Sequence, residues 1–419
     1  MRYFLLILFA AGLVLTAALC ASEPVSVLSK QPEWSDLKPF QKTITRADFL
    51  RLLDTVYAPG GAWKECIDVG TESARIHQPG AEGIDFELQF APSAAAALPV
   101  PCYWTPPGAR KTTPGKPLAG YTIALDPGHI GGRWARMEER WFQIGDAKPV
   151  MEGEISWRVA QRLQEQLQAL GANVVMVRKG LEPVTGERPR TLRRVAKAEL
   201  AREGILVPRT TYEGPNDPLK TQTVQWQSEL LFYRISEIRA RAQRINEKLK
   251  PDLVICLHCN AEEWGDPANP QLTDKNHLHL LVNGNYHVGE LGLADIRHEM
   301  LLKLLSRSSR VELPLSNRVA ASLAKATGLP PYEYHGSKAR LTDSPYVWTR
   351  NLLANRLYLC PVVYCEPYVM NSQEVFDRVQ LGDYEGVKTV GGVERKSIFR
   401  EYADAVAQGV AGYFAEKGK

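Results

Sequence analysis

The chain has 419 residues, with 51 Lys and Arg against 47 Asp and Glu, giving a net charge of +4. A charge this nearly balanced gives no case for nucleic acid, and the length allows one large or two modest domains. Beyond residue 22 no run is long and apolar enough to span a bilayer.

Residues 1–21 read as a signal peptide. Arg2 precedes an uncharged apolar run from Phe4 to Ala18, and small residues follow. The run is shorter than the ~20 residues of a spanning helix, so cleavage near Cys20–Ser22 is expected. The mature chain is then exported to the periplasm or the cell exterior, free of the membrane. Leu19 stands before Cys20 where a lipidation signal needs a small residue. Export permits disulfides, and Cys66 with Cys102 is the expected pair. Cys256, Cys259, Cys360 and Cys365 read as buried thiols in or beside apolar strands.

Residues 22–91 form a small α+β module, opening with an extended leader over 22–45. A helix over Ala47–Tyr57, a Pro-Gly-Gly turn and short strands such as Ile84–Phe90 follow. No catalytic pattern appears there, and a packing appendage is expected rather than a wall-binding unit. Residues 92–118, rich in Ala, Pro, Gly and Lys, read as a linker.

From residue 119 the pattern changes. Tyr121–Asp126 is an apolar strand that stops at Asp126-Pro127-Gly128 and delivers His129 onto a glycine-rich turn. Ile155, Val159, Leu163, Leu167 and Leu170 then recur with helical spacing, and Gly171 ends that helix. A strand at Asn173–Arg178 completes a βαβ unit, which implies a parallel sheet. Residues 182–236 interrupt it with an arginine-rich helix (Thr191–Glu203) and a turn-rich loop (Pro208–Asp217). This is expected to be a surface insertion, with a lid beside the cleft as the alternative.

A helix over Ser236–Leu249 leads to a third strand from Asp252, which ends in His258. A strand at Leu278–Asn283, a helix over Leu315–Ala326, a strand from Tyr358 to Glu366 and a helix over 398–417 close the chain. The expected fold is α/β: a mostly parallel sheet with helices on both faces, preceded by the small module.

Three strands thus end in His129, His258 and Glu366, and one helix begins beside Glu152 and Glu154. Ligands in open α/β sheets bind just beyond the carboxyl ends of strands. Two imidazoles and a carboxylate make a catalytic zinc set with an open position. A further carboxylate must then move the proton, and Glu366 is free to do so. Taken singly, each group has a bland reading, as a structural histidine or a helix-start acid. Their joint arrival at one edge does not.

The ordered segments Asp126-Pro-Gly-His-Ile-Gly-Gly132, the Glu152 helix, Arg241-Ala-Gln-Arg-Ile-Asn246, Leu257-His-Cys-Asn-Ala261 and Pro361-Val-Val-Tyr-Cys-Glu366 resemble the zinc-dependent N-acetylmuramoyl-L-alanine amidases. The resemblance covers roughly residues 119–415. It implies a hydrolase that cuts the amide between N-acetylmuramic acid and the L-alanine of the peptidoglycan stem peptide. By position it makes His129, Glu152 and His258 ligands of Zn2+ and Glu366 the catalytic acid. Glu152 fits the pattern better than Glu154, because Trp157 and Ala160 fall at the expected offsets. Ile130, intervening after the first histidine, and Pro367-Tyr368, following the glutamate, depart from it.

The resemblance leaves open a protein activator and autoinhibition by 182–236. The alternatives are a zinc carboxypeptidase or other amidohydrolase, and a wall-binding relative without catalysis. Arg241–Asn246 is expected to support the His258 strand. His279 is a candidate to face the cleft, whereas His277, His287, His298 and His335 read as loop or surface residues.

Overall fold

The computed structural model describes residues 23–419 apart from Glu82, Thr112 and Lys419. The segment read as a signal peptide, Cys20 included, lies outside the described residues.

Helix α1 (Arg46–Leu52), capped by the Thr45 hydroxyl accepting from Asp48 N–H, precedes an antiparallel sheet of β1 (Ile67–Val69), β2 (Ser73–Ile76) and β3 (Phe86–Gln89). The expected leader is packed rather than extended. Residues Trp34–Phe40 form a 3-10 helix that buries Leu37 and Phe40. Further upstream, Ser26 N–H donates to Asp295 at 2.8 Å.

The larger unit contains β4 (Thr122–Pro127), a hairpin of β5 (Trp141–Phe142) and β6 (Val150–Met151), β7 (Asn173–Met176), β8 (Leu253–Leu257), β9 (Leu278–Val282), β10 (Arg340–Leu341), β11 (Val347–Thr349) and β12 (Val362–Pro367). All but the hairpin join one seven-stranded sheet in the order β10-β11-β9-β12-β8-β4-β7. The sheet is mostly parallel, as expected, but β9 runs antiparallel to β12 and β10 to β11. Every residue of β8 and β9 is buried, so both faces of the sheet are covered.

The helices around it are α2 (Glu152–Ala169), α3 (Pro189–Arg202), α4 (Val224–Leu230), α5 (Glu237–Gln243), α6 (Val288–Leu291), α7 (Ala294–Leu305), α8 (Ser309–Thr327), α9 (Leu353–Leu357), α10 (Gln373–Gln380) and α11 (Ile398–Lys417). Wider π-type turns join α4 to α5 and extend α5 to Leu249.

Registry sets the height of the site. Pro127 of β4 and Cys365 of β12 both pair with Leu257 of β8. The residues that follow, Gly128, Glu366 and His258, therefore leave the sheet at one level. On the far side of β12, Glu366 pairs with His279 of β9.

Two expectations change here. Cys66 and Cys102 are free thiols in different settings, so they form no disulfide with each other. Cys66 is sealed in the N-terminal core, whereas Cys102 packs against the core of the large sheet. The expected linker is strapped to that sheet: Trp104 and Leu118 are buried in its core, and Thr105 N–H donates to Asp252 at 2.7 Å.

Candidate metal centre

The site starts from backbone geometry. His129 adopts a left-handed φ of +53°, which is strained for a residue with a side chain and turns its ring away from the strand line. Gly128 makes room for the second histidine, because a Cβ there would lie 2.3 Å from His258 Cε1. Gly153 does the same for the helix, since its Cβ would sit 2.4 Å from Gly131 N. Only glycines let the start of α2 dock this closely on the His129 turn. Glu152, the first residue of α2, is thereby held between the two imidazoles, at the helix end where a carboxylate is favoured.

His129 Nε2 lies 3.2 Å from Glu152 Oε2, and His258 Nδ1 lies 3.1 Å from Glu152 Oε1. One nitrogen or oxygen from each of the three residues falls within 4.8 Å of the others. Glu154, the other helix-start acid, instead pairs with Arg158 at 2.5 Å on the surface. The His258 ring is stacked on Tyr364 with centroids 4.6 Å apart.

Glu152 is 1% exposed, and its Oε2 accepts no hydrogen bond. Arg140 Nε is 3.0 Å away, close enough for charge attraction but not aligned as a donor. Burial by itself would raise this carboxyl. His129, His258 and Arg140 outweigh burial and hold it down at about 2. A buried, ionised carboxylate with an unused oxygen between two imidazoles is a donor set that fits zinc.

Glu366 occupies the same cleft. Burial first, and the Glu152 charge second, push its carboxyl up to about 8, against the pull of Arg140 and His129. Their surroundings therefore push two acids of one cleft in opposite directions.

Glu138 belongs to the site without any signal in the sequence. It is 1% exposed, accepts the N–H groups of Ile130 and Gly131, and lies 3.5 Å from His129 Nδ1. It sits in an irregular stretch beside Glu139, where no periodicity tells one acid from the other.

Arg241 supports the His129 turn rather than the His258 strand. Its guanidinium donates to Asp126, to Pro127 O and to His129 O at 2.8–3.0 Å. Asn246, from the same motif, holds the chain before β12 through Leu357 O and Leu359 N–H. His277 lies in the loop before β9 and is buried there, whereas His298 is neither loop nor surface: it is buried on α7, edge-on to Trp34.

The cleft has a volume of about 1300 Å³. His129, Glu152, His258 and Glu366 all line it, and His279 does too. Tyr212, Pro215 and Lys220 from 182–236 form part of its wall, so the insertion reaches the cleft. Its core explains the departure at Ile130: that side chain is fully buried with Leu192, Ala196, Val224 and Phe232.

Comparison with family models and with curated proteins finds no match. Among solved structures, the chain is similar to the N-acetylmuramyl-L-alanine amidase Ami1 of Mycobacterium abscessus, at 18% identity and a TM-score of 0.36 over 71% of this chain and 99% of that one. It is similar to the amidase AmiC2 of Nostoc punctiforme at 13% identity and 0.36, covering 71% and 99%. The CwlD amidase of Clostridioides difficile, solved in complex with the GerS lipoprotein, gives 14% and 0.36 over 71% and 100%.

Proposed function

We propose that the chain is an exported zinc hydrolase that cleaves the amide between N-acetylmuramic acid and the L-alanine of the peptidoglycan stem peptide. One observation carries the chemistry: His129, Glu152 and His258 meet within 4.8 Å in the cleft that also holds Glu366. The choice of amide rests on the ordered motif set from Asp126 to Glu366, and export rests on the apolar leader. Residues 119–419 would form the catalytic unit, with 182–236 inserted in it.

His129, Glu152 and His258 would hold the zinc. When bound, zinc supplies Lewis acidity, which polarises an amide carbonyl and acidifies water. Glu366 does the proton work. Burial and the Glu152 charge hold its carboxyl high; a bound zinc would offset that charge and favour the carboxylate, which can accept a proton from the attacking water and return it to the departing L-alanine nitrogen. Arg140 shares the Glu152 charge, and Tyr364 fixes the plane of the His258 ring.

The test is digestion of purified muropeptides by residues 23–419 as zinc-loaded, zinc-stripped and Glu366→Gln protein. Zinc-dependent release of intact stem peptide with an L-alanine amino terminus is expected. Glu366→Gln should lower kcat about 10²–10⁴-fold while zinc stays bound. Release of a single C-terminal residue would identify a carboxypeptidase instead, and bound zinc without any cleavage would oppose the amidase.

A further inference from the structure

We propose that Arg350 and Tyr334 form an anion subsite that takes a free carboxylate of the peptide part of the substrate, an inference that rests on the function proposed above. Arg350 directly follows β11, and its backbone N–H donates to Val282 O at 2.9 Å. Its guanidinium does not follow the strand outward. It donates to the Tyr334 hydroxyl at 3.3 Å and lies 5.5 Å from the centre of that ring. The Tyr334 hydroxyl is in turn 2.9 Å from His279 Nε2. His279 pairs with Glu366 across the sheet, so two hydrogen bonds connect the guanidinium to the level of the reacting centre. Tyr332 and Trp348 pack edge-on against Tyr334, with centroids 4.8 and 5.2 Å away, and fix it in place.

Charge pairing sets this arginine apart. Arg140 is matched by Glu152, Arg133 by Glu182 and Lys220 by Glu139, all on the cleft wall. Among the described residues no carboxylate lies within 4 Å of Arg350. Arg136 and Arg234 also lack an acid: Arg136 rests on Trp141, and Arg234 donates to the hydroxyl of the adjacent Tyr233 at 3.2 Å. Arg350 alone of these three is held by a hydroxyl that is itself tethered at the Glu366 level.

A half-buried guanidinium without a counter-charge is costly unless a ligand supplies one. Its planar fork suits a carboxylate, which it can meet with two parallel hydrogen bonds. Arg350 is therefore a specificity residue for acidic stem peptides, and the aromatic side chains around it hold the fork in place before binding.

The experiment compares muropeptides that carry each stem-peptide carboxylate in turn either free or as its carboxamide. The carboxamide has nearly the same shape but no charge. Amidation at one position should lower kcat/KM of the wild type about 10–100-fold, mainly through KM. Arg350→Gln should show the same loss on the acidic substrate and no further loss on that amide. Arg350→Lys should fall between them. A purely structural role for Arg350 would depress both substrates alike, and that result would overturn the subsite. So would a wild type indifferent to every amidation.

Calorimetric titration of the free stem peptide, acidic and amidated, into wild-type and Arg350→Gln protein reads the same preference without turnover. Carboxylate-dependent binding lost in Arg350→Gln supports the subsite even if no muropeptide is cleaved, in which case the amidase reading alone fails. Equal binding of both peptides to both proteins sinks the subsite alone.

Discussion

The Glu138 carboxylate stands behind His129, 3.5 Å from its Nδ1, while taking the backbone N–H groups of Ile130 and Gly131 at 2.9–3.0 Å. Burial would raise this acid, but His129 and the two N–H groups outweigh burial and hold it below the usual carboxylate range. One charged group thus orients both the ring and the loop that carries it.

If the centre holds zinc, a carboxylate behind a ligating imidazole fixes its tautomer and raises its basicity. Glu138→Gln should therefore weaken zinc binding about 10–100-fold, and Glu138→Ala at least as much. Competition against a chelator of known affinity measures this directly. Unchanged zinc affinity in Glu138→Ala would reduce Glu138 to a loop fastener.

The insertion and the candidate centre meet at Ile130, one residue after His129. This side chain is fully buried among Leu192, Ala196, Val224 and Phe232. Ile130→Ala should cost about 2–5 kcal/mol of unfolding free energy, as for other large-to-small changes in a packed core. Chemical denaturation gives the value. Limited proteolysis should show faster cutting in the exposed 204–211 loop, because the insertion loses its anchor. Equal protease resistance would mean that 182–236 is held to the body elsewhere.

Much of this architecture is legible in sequence, for identifiable reasons. The strands ending in His129, His258 and Glu366 are apolar runs closed by Pro, Gly or polar residues, and burial on both faces leaves that signature. Their shared level follows from parallel registry, so the strand pattern alone places the three groups at one edge. The reversed direction of β9 is hidden, because an apolar run carries no polarity. That reversal brings His279 opposite Glu366 and opens the way to Tyr334 and Arg350. Glu138 is hidden because its role depends on a loop, where spacing says nothing about which side chain turns inward. Cys66 and Cys102 mislead because two thiols near in sequence can belong to different cores. His298 reads as a loop or surface residue because burial of a lone histidine depends on partners far along the chain.

His279 carries a pH prediction. Burial, followed by the charges of His277 and Arg350, lowers its pKa from 6.5 to about 3. Between pH 6.5 and 3 the unfolded chain therefore binds a proton that the folded chain refuses. This contribution to stability is complete above pH 6.5 and is lost as the pH falls toward 3. The slope is at most about 1.4 kcal/mol per pH unit for one group. His279→Gln should flatten the acid side of the stability profile by up to that amount, measured by urea unfolding at pH 4, 5 and 6. An unchanged slope would assign the acid sensitivity to the other buried histidines, His277 and His298.

The N-terminal module gives the last prediction. Its core is continuous with the larger unit: Tyr286, Leu291, Met300, Leu301 and Leu304 share one buried cluster with Leu37, Phe49, Leu53 and Leu88. The backbones are joined as well, with Asn285 N–H donating to Val56 O at 2.9 Å and Tyr286 N–H to Tyr57 O at 2.6 Å. Gly284 allows this approach, because a Cβ there would lie 2.3 Å from Val56 O. Fully buried Arg297 takes both of its acid partners, Glu23 and Asp85, from the module. A chain shortened to 119–419 would lose both acids and uncover the apolar side of α7. Arg297 would then be open to water, so the main loss is the buried apolar area, worth about 25 cal/mol per Å². The shortened chain should therefore melt lower, bind a hydrophobic dye and aggregate. A shortened chain that stays monomeric with the melting temperature of 23–419 would make the module an appendage after all.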